Sequence, residues 1–338
     1  MNIEEMVALS VKHNAGDLHL CSGHSPFWRR YGRLEPVPEC KPVTSSLLES
    51  FAKQWLTDCQ VSQFDQLGQL DFALTIAGTR LRANLFRQQQ GLSLALRLIT
   101  SQCPDLAELK MPAIAQTLLT LKEGLVLVTG ATGSGKSTTL AALIGEINRE
   151  QNRHILTLED PIEFLHCSQR SLIQQREIGQ HCRSFSEGLR GALREDPDVI
   201  LLGELRDGET IQQALTAAET GHLVLATLHT RGATQAVDRL VDVFPGAEKN
   251  LVRSQLAGSL KAVIAQRLEQ GAEQGRVALF EVLVNTPAVA NLIREGKNHQ
   301  LAGLLETGRQ SGMQTFAQSL TDRHKAGLIA EPDGVNAG

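Results

Sequence analysis

Aromatic residues are scarce in this chain: ten Phe, two Trp and one Tyr, 4% of its residues. That leaves few platforms for stacking bases or sugars. Positive charge is not in excess either. Lys and Arg number 33 against 37 Asp and Glu, a net charge of −4, so no global basic field invites nucleic acid or anionic lipid. No apolar run approaches the ~20 residues of a membrane helix. The start, Met1-Asn2-Ile3-Glu4-Glu5-Met6, is acidic and lacks the basic and apolar stretches of a signal peptide. The six cysteines (Cys21, Cys40, Cys59, Cys103, Cys167, Cys182) are scattered without a C-x-x-C pair. In a chain this long they read as reduced thiols, not as a disulfide frame. These absences point to a cytoplasmic protein with no nucleic-acid partner, and 338 residues suggest about two domains.

What is present centres on Gly130-Ala131-Thr132-Gly133-Ser134-Gly135-Lys136-Ser137, a full G-x-x-x-x-G-K-[ST] phosphate-binding loop. Its flanks fit. Gly124 to Thr129 reads as a buried strand, and Ser137 onward, with Thr138, opens a helix. The glycines let backbone N–H groups converge on phosphate oxygens, where a side chain would block approach. The following helix points its positive end at the same place. Lys136 is suited to the β- and γ-phosphates, and the Ser137 hydroxyl to Mg²⁺. A glycine-rich turn without a ligand is the alternative, and the strand and helix on either side argue against it. A nucleoside triphosphate with Mg²⁺ is the implied ligand.

Along the chain, the first hundred residues predict a small α/β domain. Ile3 to Lys12 and Thr44 to Thr57 have helical spacing, the latter with Ser45 or Ser46 near its start. Asp17 to Cys21 alternates like a strand, and Phe27 to Leu34 reads as a hairpin turning at Gly32. Three further strands are expected at Leu70–Ile76, Thr79–Phe86 and Leu92–Leu98. Arg80, Arg82, Arg87 and Arg97 stand on this sheet, where solvated surface charge is the default reading. Pro104 and Pro112 mark a linker over 101–115. From 116 to the end, apolar strands at 124–129, 154–158, 199–203 and 223–228 alternate with helices, the mark of a mostly parallel sheet. After Arg231 the chain reads as mainly helical, with one more strand near Val277–Val284.

Ligands of open α/β sheets collect at the C-terminal ends of strands. Three motifs sit there: Leu158-Glu159-Asp160-Pro161-Ile162-Glu163; Asp198 to Leu202 closing on Gly203-Glu204; and Gly221-His222 to His229-Thr230. The second has the form of a Walker B strand, whose acid orients Mg²⁺ through its water shell. His166-Cys167 and His181-Cys182 could offer zinc ligands. Neighbours on a strand point to opposite faces and the spacing is not a common zinc pattern, which argues against a metal site.

Together these motifs resemble the secretion ATPase superfamily of P-loop hexamers and, within it, the PilT-type retraction ATPases of type IV pili. The resemblance runs from about Asp17 to Leu328. It is carried by Asp17-Leu18-His19-Leu20, Arg80-Leu81-Arg82-Ala83-Asn84, the P-loop, Glu159 to Glu163, Arg194-Glu195-Asp196-Pro197-Asp198, Gly203-Glu204-Leu205-Arg206-Asp207, the histidine box at 221–230, Asp242-Val243-Phe244-Pro245 and Gly312 to Phe316. It implies an N-terminal PAS-like α/β domain over 1–100 and a RecA-like P-loop ATPase domain with a helical C-terminal part. It also implies roles. Glu163 is the base that polarises the attacking water, Glu204 helps to hold Mg²⁺, His229 senses the γ-phosphate, and His222 buttresses its strand. Arg82 and Arg97 are presented to nucleotide, often across a subunit boundary. The implied assembly is a homohexamer serving an inner-membrane pilus platform protein and touching the membrane only through partners. Ala288-Val289-Ala290-Asn291-Leu292-Ile293-Arg294-Glu295 matches the retraction signature A-I-R-N-L-I-R-E except at Val289 and at Ala290, where an arginine is replaced. The four-cysteine module of assembly and type II secretion relatives is absent. The ending Glu331 to Gly338 is short and glycine-rich for such a protein. Three alternatives remain open: an assembly or secretion ATPase, a non-hydrolysing ATP-binding regulatory subunit, and a DNA translocase disfavoured by the charge.

Overall fold

The computed structural model describes residues 2–30, 33–99, 103–272 and 275–330. The chain divides into two compact units, one of residues 1–102 with 161–165, the other of 103–160 with 166–338.

The N-terminal unit begins with α1 (Ile3–Lys12), started by a capping box in which Asn2 accepts the Glu5 N–H. It continues through β1 (Asp17–Cys21), β2 (Phe27–Arg30), β3 (Arg33–Pro36), α2 (Ser45–Trp55), α3 (Asp58–Leu67), β4 (Gln69–Ile76), β5 (Thr79–Gln88) and β6 (Gly91–Ile99). The strands form an antiparallel sheet in the order β3-β2-β1-β6-β5-β4. Leu18 and Leu20 from β1, Leu81, Ala83 and Leu85 from β5, and Leu94 and Leu96 from β6 bury the inner face with Trp28, Leu48 and Phe51. The residues between them, Asp17, His19, Arg82, Asn84 and Arg97, therefore take the other face. The expected turn at Gly32 lies outside the described residues.

One local expectation is corrected here, and one helix was not foreseen. Thr44, not Ser45 or Ser46, caps α2, its hydroxyl accepting the Leu47 N–H at 3.2 Å. The stretch after it is a second helix, α3, started by a Thr57–Gln60 capping box and stopped by Gly68 at φ 70°. Its sequence, Asp58 to Leu67, is too polar for periodicity to reveal it; only Gln60 and Phe64 are buried.

The C-terminal unit runs through α4 (Ile114–Leu119), β7 (Gly124–Thr129), α5 (Lys136–Glu150), β8 (His154–Glu159), β9 (Leu172–Glu177), α6 (Phe185–Ala192), β10 (Val199–Leu202), α7 (Gly208–Glu219) and β11 (Leu223–Leu228). It ends with α8 (Ala233–Asp242), α9 (Lys249–Ser259), β12 (Leu260–Gln270), β13 (Arg276–Val284), α10 (Pro287–Glu295), α11 (Leu301–Thr307) and α12 (Phe316–Lys325). Its sheet has the order β13-β12-β7-β11-β10-β8-β9, parallel except for the β12–β13 hairpin. Alternate residues of the central strands face opposite ways. Val126 and Val128 pack with α4 and α5, whereas Leu125 and Leu127 pack with residues of α7, α8 and α9. The result is three layers with a fully buried β7 and β11. Leu106 and Ala115, within the stretch expected to be a linker, belong to this core. β9 and β12 are strands where the sequence predicted none. Pro161–Leu165, read with the ATPase domain, groups with the N-terminal unit.

Candidate functional site

β7 delivers the chain to the phosphate loop. Gly130, Gly133 and Gly135 have φ of 155°, 78° and 90°, and the last two lie in the left-handed region that favours glycine. α5 starts directly at Lys136 with no side-chain cap, leaving its first N–H groups for a ligand. Lys136 is buried, and its Nζ donates to the carbonyl oxygens of Gly130 at 2.8 Å and Ala131 at 3.1 Å. Ser137 is exposed at the helix start.

The next strands bring Glu204 and two basic partners, His229 and Arg206, together beside the loop. Gly203, just past β10, donates its N–H to the Leu158 carbonyl, and its own carbonyl accepts the Thr227 hydroxyl. Leu205 donates to the Thr227 carbonyl at 3.0 Å. Glu204 is thus clamped between β8 and β11, with a carboxylate only 11% exposed. Its Oε2 accepts from His229 Nε2 at 3.1 Å, and its Oε1 pairs with Arg206. His229 Nδ1 lies 3.5 Å from Lys136 Nζ. An ammonium can only donate, so in this contact Nδ1 is the acceptor and Nε2 is the nitrogen that donates to Glu204. Lys136, His229, Glu204 and Arg206 form one connected row beside the loop. At the other end of β11, His222 Nδ1 donates to the Ala217 carbonyl at 3.1 Å and joins the strand to α7.

The other sequence candidates lie in the N-terminal unit. Arg82 and Arg97 pair across β5 and β6 and line a cavity of about 340 Å³ with Asp17, His19, Arg29 and Asn84. Arg97 Nε donates to Asp17 at 2.9 Å, and Arg82 Nη1 lies 3.9 Å from the Glu163 carboxylate. Both pairs are substantially exposed, a setting in which an ion pair contributes well under about 1 kcal/mol, so neither is locked. Arg87 pairs with Asp65 on an exposed edge, the solvated role expected of it.

Several contributors were not assigned a role from sequence. Arg206 lay inside a quoted motif, but nothing in its spacing tied it to Glu204. Asp207 is a helix cap, accepting the Thr210 N–H at 2.8 Å. Gln266, on a strand not expected at all, reaches α5, with Oε1 accepting the Thr139 hydroxyl at 2.6 Å. Among the described residues there is no cluster of three or more His, Cys, Asp or Glu that could hold a metal. His181 Nδ1 instead accepts the Glu177 N–H at 2.9 Å, and burial pushes the His166 pKa down. No helix among the described residues is long and apolar enough to cross a membrane.

Comparison with known proteins agrees with this geometry. The family model described as type II/IV secretion system protein matches residues 62–330. The YggR protein of Escherichia coli strain K12 is 62% identical over 97% of this chain and 100% of its own length. The type IV pilus retraction ATPase PilT of Pseudomonas aeruginosa is 45% identical over 98% of this chain and 96% of its own. A crystal structure of the pilus retraction motor PilT with bound ADP superimposes with a TM-score of 0.90 at 39% identity, covering 100% of this chain and 97% of that one. With a complete P-loop and a clamped Walker B glutamate in a three-layer α/β unit, the chain belongs to the type II/IV secretion system protein family, as a PilT-type ATPase.

Proposed function

We propose that the chain is a Mg²⁺-dependent ATPase motor that works as a homohexamer and powers retraction of type IV pili. The observation that carries the reading is the row Lys136–His229–Glu204 beside a glycine-built phosphate loop, in a chain alike over its full length to a named retraction ATPase. The loop residues Gly130 to Thr138 take the phosphates, and Ser137 with Glu204 holds Mg²⁺. The donor set suits that ion, which prefers hard oxygen ligands and keeps several waters. Bound there, Mg²⁺ neutralises charge developing on the phosphates. Lys136 exchanges its loop carbonyls for phosphate oxygens, and His229, linked to both Lys136 and Glu204, registers that exchange. Glu163 polarises the attacking water, and Arg82 and Arg97 stabilise charge on the transferred phosphoryl group. The partner is an inner-membrane platform protein, met at the cytoplasmic face of the membrane.

The test is steady-state ATP hydrolysis by the purified, sized protein beside Lys136→Ala. Turnover confined to a hexameric fraction, and reduced at least about a hundredfold in the variant, is the expected result. Deleting the gene should leave cells piliated but unable to retract. Tight ATP binding without turnover in an intact hexamer would replace the motor with a regulatory subunit, and loss of pili would replace retraction with assembly.

A further inference from the structure

β12 is the strand beside β7, and its register places Ala265 opposite Thr129. Gln266 therefore stands beside Gly130, where the phosphate loop begins. Every other residue from Ala262 to Ala265 is apolar and buried, and Gln266, 3% exposed, is a polar side chain buried among them. Burying an amide is costly unless it is hydrogen-bonded. An aliphatic residue there would avoid that cost, so its partners are informative.

Its side chain bonds to the helix that follows the phosphate loop, and its atoms pack against the loop's glycines. Oε1 accepts the hydroxyl of Thr139, itself fully buried in the first turn of α5. Nε2 lies 2.9 Å from where a Cβ at Gly135 would stand, and the main-chain carbonyl of Gln266 occupies the place of a Cβ at Gly130. One residue thus backs the first glycine of the loop, its last glycine and the helix that follows. We infer that Gln266 is a positioning residue for nucleotide binding: it holds the start of α5 and the two ends of the loop in the spacing that a polyphosphate requires. Its effect passes through the Thr139 hydroxyl and the close packing against Gly135, not through contact with the reacting atoms. The inference rests on the reading of residues 130–137 as the nucleotide site.

The experiment measures KM and kcat for ATP, the Kd of a fluorescent ADP analogue, and the thermal midpoint. The proteins are the wild type, Gln266→Met, Thr139→Val, Thr139→Ser and the Gln266→Met/Thr139→Val double variant. Gln266→Met keeps length and volume while removing the amide's acceptor and donor, and Thr139→Val removes only the hydroxyl. Each should raise KM and Kd about tenfold, the lower range of what an unpartnered buried group costs, with kcat falling less than about threefold. The double variant should be no worse than the singles, because both break one bond, and Thr139→Ser should restore wild-type affinity. A lowered thermal midpoint with KM and Kd within about twofold of wild type would overturn the inference, leaving a purely structural amide. Additive losses in the double variant would overturn the shared route through Thr139. Should Gln266→Met fail to fold, the Thr139→Val and Thr139→Ser pair decides the matter. Absence of analogue binding to the wild type would instead remove the nucleotide site itself, and this inference with it.

Discussion

Glu204 and Glu163 are both glutamates after a strand, yet their surroundings differ. Glu204 is nearly buried and its two oxygens are each engaged, one by His229 and one by Arg206. Its neutral isostere in Glu204→Gln keeps a carbonyl acceptor for one partner and turns an NH₂ on the other. The charge that would orient a metal is gone, whereas the loop residues are untouched. Turnover should fall about 10²–10³-fold with nucleotide affinity largely kept. Glu163 is more open and touches Arg82 only at 3.9 Å, so Glu163→Gln should leave stability unchanged. If it is the base, kcat should fall at least about a hundredfold. Near-native turnover in Glu163→Gln, measured under single-turnover and steady-state conditions, would take the role of base from it.

At the scale of elements, the loop from His229 to Gly232 links β11 to α8, and both ends are tied. Thr129 and Thr230 are hydrogen-bonded through their hydroxyls at 2.6 Å. α8 begins at Gly232, which offers no side-chain cap. Glu281 on β13 does the work from across the sheet, Oε1 accepting the Ala233 N–H at 2.9 Å. A carboxylate at a helix start also meets the positive end of the helix dipole. Glu281→Ala should therefore cost about 1 kcal/mol, a lowering of the thermal midpoint by about 2–4 °C. Glu281→Gln, which keeps an acceptor, should lose less than half of that; an unchanged midpoint in Glu281→Ala would show that water caps α8 as well. Neither residue stood out in the sequence, because a cap supplied from a distant strand leaves no local pattern. The same reason hid β12. Ser259 to Glu269 is rich in Ala, Leu, Lys, Gln and Arg, good helix formers that follow a real helix, and only burial between β7 and β13 selects the strand. The phosphate loop, β7 and Glu204 were legible because local chemistry dictates them: glycines for φ, an apolar run for burial, a carboxylate at a strand end. Gln266 and the Arg206–Glu204 pair arise from tertiary neighbours and were not.

For the molecule as a whole, the chain does not pass from one unit to the other once and stay. It crosses after residue 102, returns for Pro161–Leu165, and crosses again. The returning segment carries Glu163, and within the N-terminal unit Arg80 donates to the Ile162 carbonyl at 3.1 Å. Ile162 and Phe164 are buried, each representing roughly 1.5–3 kcal/mol of apolar burial. A cut at the expected linker therefore divides one unit's own residues between two pieces. The piece Cys103–Gly338 keeps the phosphate loop, the Lys136–His229–Glu204 row and Gln266, so it should still bind an ADP analogue. It loses Arg82 and Arg97 and leaves Ile162 and Phe164 without their unit, so it should aggregate more readily and turn over ATP poorly. Arg82→Ala and Arg97→Ala in the intact chain separate the two causes, since both arginines are largely exposed and their removal should leave folding alone. Reduced kcat in those variants with unchanged melting would assign the fragment's lost turnover to the arginines. A soluble fragment as active per molecule as the whole chain would mean that the N-terminal unit contributes nothing to hydrolysis.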